Sequence, residues 1–250
     1  MAEAARRLDT IDARPAFTAA DAAALDARFA DVPAPDLLRR LIEDELAGRI
    51  AVVSSFGAES AVLLHLVAAI DASVPVIFTD TGKMFPETLA YRDALVARLH
   101  LADVRTIHPD PALLSARDPA GERHAYDPDG CCDLRKVGPL ARALAPFDAW
   151  ISGRKGFQSG TRRALPRIEE DAGRLKINPL ADWTKTDLDA WFDTHDLPRH
   201  PLEARGYPSI GCAPCTSPVR PGEDARAGRW RGFDKVECGI HATASSNPAP

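Results

Sequence analysis

By spacing the five cysteines fall into two pairs and a single residue. Cys131 and Cys132 are adjacent, Cys212 and Cys215 form a C-x-x-C pair, and Cys238 stands apart near the C-terminus. Met1–Arg14 carries acids and bases without an apolar leader, and no apolar run approaches the roughly 18 residues a membrane span needs, so the chain reads as a cytoplasmic protein. Cysteines in that compartment point to metal or redox chemistry before disulfides. Four thiolates suit either a [4Fe–4S] cluster or a structural zinc. Vicinal cysteines are unusual in the common zinc patterns, so the set favours iron. Two buried free cysteines beside an unrelated C-x-x-C pair are the plain alternative. Arg135 and Lys136, about one helical turn past the vicinal pair, would put positive charge beside an anionic group.

Cys238 lies in Lys235-Val236-Glu237-Cys238-Gly239-Ile240-His241, a polar segment near the terminus that reads as an exposed thiol. A nucleophilic thiolate needs a lowered pKa, which Lys235, His241 or an approaching arginine would supply; an incidental surface cysteine is the alternative. Two further segments have the composition of ligand loops. Ser54-Ser55-Phe56-Gly57-Ala58-Glu59-Ser60 follows an apolar run and precedes a helix, so its backbone N–H groups and the hydroxyls of Ser54, Ser55 and Ser60 could meet a phosphate. It lacks the Walker pattern. The second, from Asp80, Thr81 and Gly82 to Thr88, would close on a nucleoside or serve only as a helix entry, with Pro86 at the first helical position.

The elements that must position these residues alternate in type. Helical spacing from Phe17 to Gly48 predicts two helices broken near Pro33–Pro35, with Thr18 and Asp21 as a capping box. Apolar runs at Ile50–Val53, Val74–Thr79, Val104–His108, Ala149–Ser152 and Leu175–Ile177 predict strands. Helices are expected over Ala61–Ile70, Pro86–Leu99 and Lys185–Thr194. This order implies an α/β fold with a doubly wound, mainly parallel sheet. Beyond Leu197 the texture turns to Pro, Gly and Arg, which predicts a loop-rich, mobile segment, and Ala242–Pro250 is expected to be disordered. The expected organisation is a helical segment over 1–48, a nucleotide-binding domain over 49–197 and a C-terminal segment over 198–250 that completes the cysteine set and carries Cys238.

Taken together, Cys131-Cys132, Cys212-Ala213-Pro214-Cys215 and Glu237-Cys238-Gly239-Ile240-His241 resemble the assimilatory adenosine-phosphosulfate reductase family over about Ile50 to His241. The turn Ser54–Ser60, with Gly57 in it, resembles that family's modified phosphate loop. Asp80-Thr81-Gly82 with Phe85-Pro86-Glu87-Thr88 resembles its nucleotide loop. The resemblance implies an adenine-nucleotide α-hydrolase-like fold, a [4Fe–4S] cluster on Cys131, Cys132, Cys212 and Cys215, Lys136 near cluster and substrate, and Cys238 as nucleophile. Arg226 and Arg229 resemble the residues that clamp phosphosulfate. Gly153-Arg154-Lys155-Gly156-Phe157-Gln158-Ser159 matches the edge loop in part, with Arg154 as a substrate contact.

The implied activity is reduction of adenosine 5′-phosphosulfate to sulfite and AMP in sulfate assimilation, with thioredoxin or a similar dithiol as reductant. The related reductase for the 3′-phosphorylated nucleotide shares fold and nucleophile and lacks the four cluster cysteines, so their presence favours the unphosphorylated substrate. A zinc-stabilised nucleotide sensor and an ATP-pyrophosphatase-like enzyme are the other readings. Against the latter, Phe56 and Ala58 break the S-G-G-x-D-S loop. Over 250 residues a net charge of −5 argues against nucleic acid as a partner. A homo-oligomer is compatible with the sequence.

Overall fold

The computed structural model describes residues 16–241. The expectations for Met1–Arg14 and Ala242–Pro250 lie outside the described residues. Six strands, β1 (Ile50–Val53), β2 (Val76–Thr79), β3 (Val104–Ile107), β4 (Ala149–Ile151), β5 (Ile168–Asp171) and β6 (Arg174–Ile177), form one sheet in the order β3-β2-β1-β4-β6-β5. All neighbours are parallel except β5 and β6. The order leads from β1 outward to β2 and β3 on one side, and from β4 to β6 and β5 on the other. The reversal therefore falls between β1 and β4, where Ile50 pairs with Ala149 and Val52 with Ile151. Loops leaving the carboxyl ends of two such strands part from each other, which opens a crevice at that edge.

The central strands are short runs of β-branched and apolar residues buried on both faces, as a sheet covered by helices requires. α3 (Ser60–Asp71), α4 (Pro86–Leu99) and α8 (Lys185–Thr194) follow β1, β2 and β6. Pro86 opens α4, and Thr184 with Asp187 makes a capping box on α8. The strand β5 was not expected, because Ile168-Glu-Glu-Asp reads as a charged loop. It is an edge strand joined to β6 through Ala172 and Gly173, both at positive φ (51° and 79°), the backbone a tight hairpin needs.

Two N-terminal helices, α1 (Ala19–Arg28) and α2 (Ala34–Arg40), pack on the same core as the sheet through Phe29, Leu37, Leu38 and Leu41. The Thr18–Asp21 capping box is formed. Arg167 Nη1 donates to the carbonyls of Phe29, Ala30 and Val32 at 2.9, 3.2 and 2.6 Å, tying the α1–α2 turn to the edge of the sheet.

Three further helices, α5 (Pro111–Arg117), α6 (Pro128–Cys132) and α7 (Gly138–Leu144), lie between β3 and β4. A π turn over Asp133–Val137 joins α6 to α7. The Gly138 N–H bonds to the Asp133 carbonyl five residues back, and Pro139 has no N–H with which to resume the α pattern at once. The vicinal cysteines end α6, and Arg135 and Lys136 sit in the wide turn. The segment after α8 is held by isolated pairings, Met84 with Cys212 and Thr216 with Arg229, and by Ala213 N–H to the Lys83 carbonyl at 2.8 Å. Gly228 is required there: a Cβ would lie 2.0 Å from the Ser217 carbonyl oxygen. Among the described residues no helix is long and apolar enough to cross a membrane.

Candidate active site

The crevice between β1 and β4 becomes a cleft lined from both strand ends and from the C-terminal segment. The β1 turn supplies its floor. Ser54 is buried, and its hydroxyl accepts from the Phe56 N–H at 3.1 Å, which tightens the turn. Phe56 adopts positive φ (48°), a strained conformation for an aromatic residue, and is fully buried edge-on to Phe78 with centroids 5.4 Å apart. That packing anchors the reversal which leads into α3 at Ser60. Glu59, just before α3, accepts from Lys155 Nζ and Gln158 Nε2, each at 2.9 Å, and so links the β1 turn to the loop after β4.

Cations crowd the cleft. Lys136, Arg154, Arg162, Arg226 and Arg229 all line it. Burial and the neighbouring Arg162 pull the Arg154 pKa down to about 10, and burial likewise takes Arg226 down to about 10. Both stay charged at neutral pH. Arg154 pairs with Glu169, and its Nε donates to Asn178 Oδ1 at 3.3 Å. Beneath them Lys176 is fully buried against Trp150, its ammonium 4.9 Å from the ring centroid, and burial with the adjacent Arg154 lowers its pKa to about 7. His241 stacks on the same tryptophan, and burial followed by Lys176 holds its imidazole well below the usual range, in the neutral form.

Cys238 lines the cleft and is buried, only 7% exposed, in contrast to the exposed thiol the local sequence implies. The reason is tertiary. The segment folds back so that Cys238 packs with Cys132 and Trp230, and Gly239 lies against Val137 of the π turn, where a Cβ would come within 2.9 Å of Val137 Cγ2. The Cys132 thiol lies beside the Cys238 sulfur. While Cys132 is a protonated thiol, that contact, opposed by burial and reinforced by Lys136, holds Cys238 well below the ordinary thiol range and pushes Cys132 up. Burial disfavours the Lys136 charge, but the sulfurs of Cys212, Cys238 and Cys132 outweigh it and keep the ammonium protonated.

A second, smaller cavity adjoins the cleft and is lined by Cys131, Cys132, Cys212 and Cys215. Lys136 and Arg229 line both spaces. Among the described residues no three His, Cys, Asp or Glu side chains converge on a single-ion position. Four soft donors line this one void, with Lys83, Arg135, Lys136 and Arg229 in its wall, a donor set whose chemistry suits a thiolate-held metal group. Arg135 is fixed there by Asp118, Nη2 to Oδ2 at 2.6 Å, and by the Thr81 carbonyl at 2.9 Å.

Residues 49–218 match the phosphoadenosine phosphosulfate reductase domain. The chain belongs to the phosphoadenosine phosphosulfate reductase family. It is 53% identical over 236 residues to the adenosine 5′-phosphosulfate reductase of Mesorhizobium japonicum, covering 94% of this chain and 93% of the relative. A protein of Gloeobacter violaceus named phosphoadenosine 5′-phosphosulfate reductase is 43% identical, covering 78% of this chain and 83% of that one. The fold is similar to the crystal structure of phosphoadenylyl-sulfate reductase from Candida auris, with a TM-score of 0.67 at 24% identity over 81% of this chain and 98% of that one. It also resembles the FMN adenylyltransferase of Candida glabrata, with a TM-score of 0.52 at 16% identity over 80% and 75% of the two chains.

In this reductase-family chain the cleft brings together Ser54, Ser55, Gly57, Ser60, Lys136, Arg154, Arg226, Arg229 and Cys238. Asp80, Thr81 and Gly82 are not in its lining. Asp80 Oδ1 accepts from the Gly82 N–H at 2.9 Å, closing a local turn, and Thr81 is fully buried at the cysteine cavity, its hydroxyl 3.2 Å from Cys212 Sγ. The β2 edge loop therefore supports the cysteine set, while the adjacent Thr79 and Met84 reach the cleft. Sequence reasoning assigns no role to Glu59, Gln158, Arg162 or Glu237; all four line the cleft. Glu59 and Glu237 lie inside the quoted motifs, and that was their only signal.

Proposed function

We propose that this chain is a thioredoxin-dependent adenosine 5′-phosphosulfate reductase, acting in sulfate assimilation through a sulfonated Cys238. The observation that carries the reading is the meeting of the buried Cys238 with Lys136, Arg226 and Arg229 in a cleft at the sheet's switch point. That crevice is where doubly wound folds hold nucleotides. The identity to proteins named adenosine 5′-phosphosulfate reductase, 53% and 50%, supports the choice of nucleotide.

In this reading the Ser54–Ser60 turn and the start of α3 receive the nucleotide's phosphate, with Arg154 beside it. Lys136, Arg226 and Arg229 face the sulfate and balance charge as the phosphate–sulfate bridge breaks. The Cys238 thiolate attacks sulfur; an S–S bond forms, the S–O bond to the phosphate breaks, and AMP leaves with the electron pair. A dithiol such as thioredoxin then attacks the Cys238 sulfur, becomes a disulfide and releases sulfite, restoring the cysteine. The two reducing electrons come from the dithiol. Cys131, Cys132, Cys212 and Cys215 would hold a [4Fe–4S] cluster, which when bound supplies a fixed charge distribution beside Lys136 and a tie between α6 and the C-terminal segment.

Incubating anaerobically purified protein with adenosine 5′-phosphosulfate and reduced thioredoxin tests the reading. Sulfite and AMP in equal amounts are expected. Adenylate transfer or pyrophosphate chemistry without sulfite would place the chain with other enzymes of similar fold.

A further inference from the structure

Two carboxylates line the cationic cleft, Glu59 and Glu237. Glu59 is bound to Lys155 and Gln158 and serves the loop junction described above. Glu237 has no such part. Its Oε2 accepts from Arg162 Nε at 2.8 Å and Nη2 at 2.5 Å, and its Oε1 accepts from Arg226 Nη2 at 2.9 Å. Oε1 also accepts from the Cys238 N–H at 3.0 Å. Arg226 Nη2 donates in addition to the Val236 carbonyl at 3.1 Å. The two arginines come from different parts of the fold, one from the loop after β4 and one from the C-terminal segment, so the carboxylate joins those two parts in the cleft wall.

We propose that Glu237 is the positioning residue for Cys238, a charge latch that docks the cysteine segment over the cleft by engaging Arg162 and Arg226. Charge-assisted bonds of this kind are stronger than neutral ones and hold geometry as well. The backbone of Cys238 is tied to the latch directly, and the contact of Gly239 with Val137 seats the next residue beside Lys136. Opening the latch frees Cys238 to leave the cleft and present its sulfur to a reductant. The catalytic part of the inference rests on Cys238 being the nucleophile; the docking part does not.

The test uses the anaerobically purified full chain, its Glu237→Gln variant, which keeps shape and loses charge, and Glu237→Asp, which keeps charge one methylene short. Iodoacetamide labelling of Cys238, followed by peptide mass mapping without nucleotide, reads docking. Labelling is expected to be at least about tenfold faster in Glu237→Gln, with Glu237→Asp between it and the parent. Single-turnover release of AMP at saturating adenosine 5′-phosphosulfate reads positioning. It is expected to be at least about tenfold slower in Glu237→Gln, while AMP binds no more weakly because Arg162 and Arg226 are left uncompensated. Parent-like labelling in both variants overturns the latch, as does a fall in AMP affinity equal to the fall in rate. If Glu237→Gln does not fold, Glu237→Asp against the parent decides. A parent chain that releases no AMP defeats the proposed function, and the labelling arm still decides the docking.

Discussion

Lys136 and Arg229 stand in the wall between the cleft and the cysteine cavity, each lining both. The π turn puts Lys136 there, and the Thr216–Arg229 pairing holds the backbone of Arg229. In the proposed function a cation in that wall would balance thiolates on one side and a bound anion on the other. Lys136→Ala is expected to lower kcat/KM by roughly 100-fold, the scale of losing one preorganised charge at a reacting centre. Steady-state kinetics would check it, and a loss under about threefold would remove Lys136 from the substrate side of the wall.

Serine replacement of Cys131, Cys132, Cys212 or Cys215 is expected to lower bound iron and thermal stability, because a lost thiolate leaves the group underliganded. Iron analysis of anaerobically purified variants reads this. Parent-like iron in any one of them would exclude that cysteine as a ligand, and a zinc-loaded, colourless parent would replace the cluster assignment.

The Arg135–Asp118 pair is buried on both sides. Asp118→Ala would leave the guanidinium uncompensated, and destabilisation of about 3 kcal/mol or more is expected. Burial alone would raise the Asp118 pKa, but Arg135 and the Arg123 N–H outweigh it and hold the carboxyl below its ordinary value. A carboxylate depressed on folding contributes its stability above the unfolded pKa of about 3.9 and loses it as pH falls through the folded value. Denaturant titrations should therefore show the parent losing more stability than Asp118→Asn below about pH 4. Parallel acid limbs would mean that the pair does not titrate with folding.

Substrate choice should act at the ribose. A 3′-phosphate needs a matching cation, whereas a hydroxyl needs a neutral partner. Arg163 is exposed and outside the cleft lining, and Arg162 is engaged by Glu237. We expect kcat/KM for adenosine 5′-phosphosulfate to exceed that for the 3′-phosphorylated nucleotide by at least about tenfold, or roughly 1.4 kcal/mol. Equal values would mean that an arginine reaches the 3′ position.

Much of the frame is legible because local signals and tertiary fold agree. The bounds of α4 and α8, the Thr18–Asp21 box and the strand–helix alternation follow from periodicity and caps. Ile168–Asp171 escapes because its acids read as a charged loop and their partners, Arg154 and Lys176 for Glu169 and Trp150 for Asp171, come from elsewhere in the chain, and α5 to α7 escape because Pro, Gly and paired cysteines blur helical spacing. Cys238 reads as exposed since nothing near it in sequence is apolar enough to bury it; Cys132 and Trp230 do so from afar. Thr81 turns from the nucleotide loop to the cysteines through its contact with Cys212, 131 residues away, which no local pattern encodes.

The central claim is a sulfonated Cys238, and mass spectrometry of peptides after incubation with sulfur-labelled adenosine 5′-phosphosulfate, without reductant, tests it most directly. The account predicts label on the Cys238 peptide, released as sulfite on adding reduced thioredoxin, and none in a Cys238→Ser protein that still binds iron and nucleotide. AMP release with label on another residue, or with none retained, would contradict it.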